Sequence, residues 1–309
     1  MTDDGAAAHV AAAAQLACLL EASAPKPGNV SPGRHFSDAR YEDFLASAVA
    51  IGQPLSGAGE RPLGATIRLA VEATARWTGS NTNLGVVLLL APLAKAVMEE
   101  GAGSLFRVHQ AKKTPDTPPF TLLRDALRRV LDATGIDDAR DVYAAIRQAA
   151  PGGLGKAAAQ DVKDDPTVTL LEAMRLAAGR DGIAREYVTA FEATFGIGAP
   201  ALQRARRDGL CWDDAVVETF LTLLAAQPDT HIVRRGGEER AQAASRLAQI
   251  ALGEGGVRSD GGRRSIEDMD RALRDPQHLA NPGTTADLTA AAIFVVLLSG
   301  GWPPLKRET

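Results

Sequence analysis

Apolar residues recur at helical spacing along almost the whole of this 309-residue chain, and that regularity excludes most folds. Val10, Ala13, Ala14, Ala17 and Leu20 stand at i, i+3, i+4, i+7 and i+10, which places them on one helix face. Leu123, Leu127, Val130 and Leu131 repeat the pattern. Further helices are expected over 40–52, 62–78, 84–100, 138–149, 168–178, 184–194, 198–208, 212–226, 235–253, 263–274 and 284–300. Alternating runs rich in Val, Ile and Tyr and bounded by turns, the mark of strands, are nearly absent. The spacing predicts an all-α protein: one domain over residues 1–309, about a dozen helices, with its chemistry in interhelical loops and first turns. No internal repeat divides the chain. The 112–119 stretch, with three prolines and two lysines, is the most linker-like segment.

Composition narrows the function. With 45% hydrophobic and 23% charged residues the chain has the make-up of a globular protein with a sizeable core. A net charge of −4 argues against a nucleic-acid partner, which would meet a basic field. Cys18 and Cys211 lie inside apolar helical patterns and read as small hydrophobes in a reducing compartment. The acidic N-terminus lacks a signal-peptide pattern. The longest apolar runs, 86–93 and 290–298, fall short of the roughly 20 residues that span a bilayer. A cytoplasmic protein without a membrane partner is expected; a homodimer is compatible with these features.

The loops carry the chemistry. Pro25-Lys26-Pro27-Gly28-Asn29-Val30 follows the first helix, and its two prolines fix the direction in which the backbone leaves it. Read alone, this is either an ordinary helix stop with a solvated lysine or a stiff loop offering Lys26 to a phosphate, with His35 and Asp38 close behind. Gly79-Ser80-Asn81-Thr82-Asn83-Leu84-Gly85 joins two apolar helices and exposes neutral donors and acceptors that suit a ribose or a base edge. Asn and Thr also favour such a turn for local reasons. Pro228-Asp229-Thr230-His231 runs into Arg234-Arg235-Gly236-Gly237, and Asn281-Pro282-Gly283-Thr284-Thr285-Ala286-Asp287 opens the last helix.

Taken in order, these segments resemble the triphosphoribosyl-dephospho-CoA synthase family. Its members carry a Pro-Lys-Pro-Gly loop, a later His-x-x-Asp, an Asn-Thr-His-Lys-Gly turn, an Asp-Thr-Asn segment and a Ser-Pro-Gly-x-x-Ala-Asp-Leu helix start. The match runs from about residue 15 to residue 300. Two turns depart from it. Asn81-Thr82-Asn83-Leu84-Gly85 lacks the imidazole and the cation, and Asp229-Thr230-His231 ends in histidine.

The resemblance implies an enzyme that moves the triphosphoribosyl group of ATP to a hydroxyl acceptor such as dephospho-CoA, with Mg²⁺ on the phosphates and adenine released. It implies catalytic roles for Glu21, His35, Asp38, Glu72 and Asp229, with Glu72, Asp229 and Asp38 as metal ligands. Substrate contacts are implied for Lys26, Pro27, Gly28, Asn29, Asn81, Thr82, Asn83, Thr230, Arg234, Arg235, Thr284 and Asp287. Breaking an N-glycosidic bond develops positive charge on the sugar, so carboxylates, a proton donor for adenine, a base for the hydroxyl and cations for the triphosphate are the residue types required.

Local context argues for some of these assignments, as at Glu21 and His35, and offers a plainer reading of others, as at Glu72, Asp38 and Asp287. Glu21 sits in the last turn of the first helix, where its charge opposes the helix dipole. Glu72 is flanked by Arg68 and Arg76 at i−4 and i+4, a surface ladder. Asp38 and Asp287 stand where helix caps would be. His35 has Asp38 at i+3, a carboxylate able to raise its pKa. Water as acceptor would make a nucleotide or ADP-ribose-type glycohydrolase, a pterin-type precursor would make another cofactor ribosyltransferase, and loss of chemistry would leave a nucleotide-binding subunit.

Gly152-Gly153-Leu154-Gly155-Lys156 is not a phosphate loop, because Ala150 replaces its first glycine and Ala157 its Ser or Thr. No His-Glu-x-x-His, Cys-x-x-Cys or Gly-x-Ser-x-Gly is present.

Overall fold

The computed structural model describes residues 3–100 and 120–300, and these are helical with no β-strand among them. In chain order the α-helices are α1 (Asp3–Ser23), α2 (Tyr41–Ala50), α3 (Gly52–Ser56), α4 (Leu63–Ala75), α5 (Leu84–Glu99), α6 (Thr121–Asp132), α7 (Ile136–Ala149), α8 (Leu170–Ala177) and α9 (Gly182–Thr189). After a π-helical turn over Thr194–Gly198 come α10 (Ala199–Arg207), α11 (Trp212–Ala226), α12 (Thr230–Gly236), α13 (Glu238–Gly253), α14 (Asp260–Leu273) and α15 (Gly283–Leu298). The linker-like 112–119 stretch lies outside the described residues.

Two helices form the centre because they are apolar on every side. From Leu288 to Leu298 every residue of α15 is buried, as is α5 from Val86 to Ala94. A helix without a polar face has to be surrounded. Accordingly α15 is enclosed by α1, α5, α10, α11 and the π-helical turn. The amphipathic helices supply the shell: α6 buries Leu123, Ala126, Leu127, Val130 and Leu131, and α7 buries Ala139, Val142, Tyr143 and Ala145. One hydrophobic cluster extends from Ala6 to Leu298.

Helix α1 shows the predicted face, with Val10, Ala14 and Ala17 fully buried and Ala13 nearly so. Its Gly5–Ser23 portion is also long and apolar enough to cross a membrane by length and composition, which inspection of uninterrupted apolar runs overlooks. In the fold it packs on α2, α3, α5 and α15.

Three expected helices have different boundaries. The 40–52 segment breaks into α2 and α3 at Ile51. The 235–253 segment is preceded by a separate short helix, α12, divided from α13 by Gly237 at φ +92°, a value that suits glycine. The helix expected over 184–194 stops at Thr189, since Ala190 and Phe191 both have positive φ. Buried Glu186 holds that reversal, accepting the Ala193 and Thr194 amides at 2.9 Å and the Thr194 hydroxyl at 2.6 Å. Burial pushes its carboxyl above the usual range and those donors pull it back.

Candidate active site

The polar residues of the interior gather where α5, α9, α12 and α15 begin and α1 ends. Asp229 is the knot. Oδ1 accepts the amides of His231 (2.8 Å) and Ile232 (3.0 Å) and so caps α12, while Oδ2 accepts the amide and the hydroxyl of Thr285, both at 2.7 Å. One carboxylate therefore satisfies the starts of two helices, whose first amides have no partners within the helix. Thr230 Oγ1 accepts the Gly182 amide at 2.9 Å, which attaches α9, and lies 3.1 Å from Thr284 Oγ1. Asp181 caps α9 by accepting from Ala184, and its other oxygen lies 3.3 Å from Arg234 Nη1. Burial pushes the Asp229 carboxyl above its ordinary value, against the four bonds that favour the charged form.

With its acceptors engaged in this way, Asp229 braces the starts of α12 and α15. Asp229→Ala strands the amides of two helix starts, so a loss of about 2–4 kcal/mol in unfolding free energy is expected, measurable by denaturant titration.

Asp287 faces a different environment. The start of α5 lies directly on it: a Cβ built on Gly85 would stand 2.0 Å from its Oδ2, so any larger residue there would have to displace the carboxylate. Burial raises the Asp287 carboxyl well above the usual range, and the carboxylates of Glu21 and Asp229 add to this while Arg234 opposes it. The neighbouring Cys18 thiol is pushed up by burial, then by Glu21 and Asp287. The capping reading of Asp287 is corrected here: Pro282 occupies the N-cap of α15 with no side-chain cap, and the cap-like bonds go from Thr285 to Asp229. Asp38 does not cap either, because the N-cap of α2 is Arg40, whose amide is received by Asp43.

Glu21 and Lys26 are a buried ion pair, 3.0 Å apart, with Lys26 only 1% exposed. Lys26 Nζ also donates to the Glu21 and Ala24 carbonyls. The lysine for which a phosphate contact is expected, with a solvated helix stop as the plainer reading, is therefore turned inward, where it holds the end of α1. Gly28, at φ +72°, gives its amide to Asp270, and Asn29 is buried with Nδ2 donating to the Pro27 carbonyl.

The Asn81–Asn83 turn is also used by the fold. Thr82 Oγ1 bonds Ser47 Oγ, Asn83 Nδ2 donates to Thr74 Oγ1 at 3.0 Å, and Asn81 Oδ1 accepts the Leu84 amide. Asn81 is the exposed member; Thr82 and Asn83 are buried ties among α2, α4 and α5.

His35 and Asp38 lie on an exposed loop, and the expected pairing between them is not formed. His35 Nδ1 accepts the Tyr41 amide at 3.2 Å, and the Asp38 carbonyl receives the Ser80 hydroxyl. Glu72 is 2.7 Å from Arg68, which also holds Asp141 of α7 at 2.8 Å. That is the surface ladder, without Arg76. Glu72→Ala is accordingly expected to change stability by at most about 1 kcal/mol and to leave turnover within about twofold, as steady-state kinetics will show. Of the three carboxylates expected to share Mg²⁺, Glu72 is held by Arg68, Asp229 by the starts of α12 and α15, and Asp38 lies on the exposed loop, and no cluster of three metal-capable side chains occurs among the described residues.

Arg234 and Arg235 border the site. Arg234 Nε donates to the Gly152 carbonyl and Arg235 Nη2 to the Gln277 carbonyl, so the Gly152-Gly153 turn rests on them. Several residues here were not singled out by sequence reasoning. His231 lies against Gly283, where a Cβ would come 2.0 Å from its Nδ1, and burial with Arg234 and Arg235 nearby lowers its pKa to about 3. Its imidazole is neutral at physiological pH. Asp181, Asp270 and Arg274 were also passed over; a carboxylate at a helix start was the available signal for Asp181, whereas the other two pair across more than 240 residues.

Residues 7–304 match the family model described as ATP:dephospho-CoA triphosphoribosyl transferase. A Pseudomonas putida protein named probable 2-(5''-triphosphoribosyl)-3'-dephosphocoenzyme-A synthase is 32% identical over 137 residues, 43% of this chain and 48% of that protein. A Pseudomonas aeruginosa protein of the same name is 32% identical over 146 residues, 45% of this chain and 49% of its own length. The chain thus spans about half the length of these relatives. A solved structure from Archaeoglobus fulgidus, classed with triphosphoribosyl-dephospho-CoA synthases, superposes with a TM-score of 0.63 at 28% identity, covering 85% of this chain and 100% of that one.

Proposed function

This chain belongs to the ATP:dephospho-CoA triphosphoribosyl transferase family, and we propose that it carries out that transfer at the junction of α1, α5 and α15. The bond from the ribose anomeric carbon of ATP to adenine breaks, a bond from that carbon to a hydroxyl oxygen of dephospho-CoA forms, adenine leaves, and the acceptor hydroxyl gives up its proton. The observation that carries this reading is the half-buried residue Asp287, whose desolvated carboxylate lies near Glu21 and against Gly85 in the first turn of α5.

A desolvated carboxylate with a raised pKa suits this reaction in two ways. When ionised it stabilises the positive charge that develops on the sugar, in surroundings where electrostatic effects are strong. It also accepts a proton from the attacking hydroxyl more readily than an ordinary surface carboxylate does. Arg234 and Arg235 are the cations at the rim, and the starts of α5 and α15 add amide donors and positive helix ends, so the triphosphate is held mainly by these groups. Lys26 acts indirectly, by holding Glu21.

The donor set fits Mg²⁺ carried by the nucleotide, because Mg²⁺ takes few protein ligands beside phosphates and Asp287 with Glu21 offers two neighbouring carboxylates. When bound, it neutralises phosphate charge. The Asn81–Gly85 turn supplies no cation, since buried Leu84 stands where the family motif has lysine. Recognition of the acceptor's phosphates falls to the arginines. A reaction that draws on ATP and dephospho-CoA suits the cytoplasm.

Adenine release distinguishes the readings. With ATP, Mg²⁺ and dephospho-CoA we expect adenine to appear, and with any one of them omitted we expect none. Adenine from ATP without an acceptor would identify a glycohydrolase. No adenine under any condition, together with no rise in melting temperature at saturating Mg-ATP, would leave the family fold without this activity. Ligand binding at one hundred times Kd is worth about 2.7 kcal/mol, well within detection.

A further inference from the structure

We propose that Asp270 and Arg274 form a positioning clamp for this reaction: from the end of α14 they hold the 25–30 loop in the conformation that keeps Lys26 on Glu21, and so keep Glu21 beside Asp287. The inference rests on the transfer reaction proposed above.

The loop has little of its own to hold it. Pro25 and Pro27 contribute no amide donors. Its internal bonds are few: the Lys26 amide to the Ala24 carbonyl, the Asn29 amide to the Lys26 carbonyl, and Asn29 Nδ2 to the Pro27 carbonyl. Beyond these it is gripped from α14. Gly28, at φ +72°, turns its amide onto Asp270 Oδ1 at 2.8 Å, and Arg274 Nη2 donates to the Asn29 carbonyl at 2.8 Å. Arg274 Nε lies 3.0 and 2.9 Å from the two Asp270 oxygens, so the two residues brace each other as they hold successive loop residues. Arg34 Nη1 adds a bond to Oδ2 from the exposed side at 2.9 Å. A Cβ on Gly28 would stand 2.9 Å from Leu273 Cβ, so α14 and the loop are in direct contact.

Asp270 is only 8% exposed, and its acceptors are turned to this loop and to the arginines that border it. Two residues on from Lys26, a fixed Gly28 determines where the lysine ammonium can reach. Release of the loop therefore moves the Lys26–Glu21 pair, which alters the carboxylates at the reacting centre without removing any group that touches substrate.

The test compares Asp270→Asn, Asp270→Glu, Arg274→Gln and Arg34→Ala in the full chain, by adenine release at saturating and limiting ATP and dephospho-CoA, well below each melting temperature. Asp270→Asn is expected to lower kcat by about tenfold or more with each KM within about threefold, since misplacement of a catalytic group lowers turnover more than ground-state binding. Asp270→Glu is expected to recover most of kcat, Arg274→Gln to lower it, and Arg34→Ala to leave it unchanged.

Wild-type kcat in folded Asp270→Asn, or a loss that Asp270→Glu does not recover, overturns the clamp. If Asp270→Asn does not fold, Arg274→Gln decides by the same criterion. If the wild type releases no adenine, the transfer reading fails and the clamp is judged by amide exchange: faster exchange at Gly28 and Asn29 in Asp270→Asn supports it, and unchanged exchange overturns it.

Discussion

Asp287→Asn is expected to reduce turnover at least about a hundredfold, or ~2.7 kcal/mol of transition-state stabilisation, without lowering the melting temperature. The substitution keeps the shape that fits against Gly85 and removes the charge. The sign of the stability effect follows from linkage. Burial raises the Asp287 carboxyl well above its ordinary value of 3.8, with Glu21 and Asp229 adding to the shift, so the folded protein binds that proton more tightly than the unfolded chain does. The stabilisation from the protonated form is present below the ordinary value and is lost as pH rises through the raised one. The amide that replaces the carboxyl cannot ionise. The variant should therefore gain stability relative to wild type across that window and keep the gain above it, as thermal unfolding between pH 4 and neutrality will show. A fall in activity accompanied by a fall in melting temperature would instead make Asp287 a structural residue.

Lys26→Ala is expected to destabilise the fold by about 3–5 kcal/mol, because removing one partner of a buried ion pair leaves the other charge without compensation. The double variant Lys26→Met with Glu21→Gln should recover part of that loss, since it removes both charges and retains most of the volume. Denaturant midpoints of the single and double variants measure this directly. A Lys26→Ala protein with wild-type stability and weakened Mg-ATP binding would return the lysine to the phosphate-binding role that its place on a stiff loop suggests.

Why that role is attractive in the sequence, and why the structure moves it, shows what a chain of this kind discloses. The helices are legible because burial imposes their spacing: the α1 face and the two apolar helices α5 and α15 are visible in the residue order. The loops that carry the site are legible as loops, because proline, glycine and asparagine leave few alternatives. The direction in which a loop side chain points is not legible, since tertiary pairing decides it. Lys26 turns inward because Glu21 waits five residues back, whereas Gly28 is placed by Asp270, 242 residues away.

The carboxylates divide in the same way. Asp229 and Asp287 both stand out beside helix starts, yet one is filled by four donors and the other is crowded by like charges, a distinction made by how α12 and α15 meet. Ala190 and Phe191 end α9 at positive φ without a glycine to signal it, because the buried Glu186 carboxylate receives the amides that follow the reversal.

The transfer of an intact triphosphoribosyl group from ATP to dephospho-CoA is the central claim, and the mass of the product tests it most directly. With ATP labelled in the ribose, Mg²⁺ and dephospho-CoA, wild-type protein should yield one adenine for each acceptor molecule that gains the labelled ribose with all three phosphates, and Asp287→Asn should yield almost none. Labelled triphosphoribose found free in solution, or an acceptor whose mass is unchanged while adenine accumulates, would contradict it.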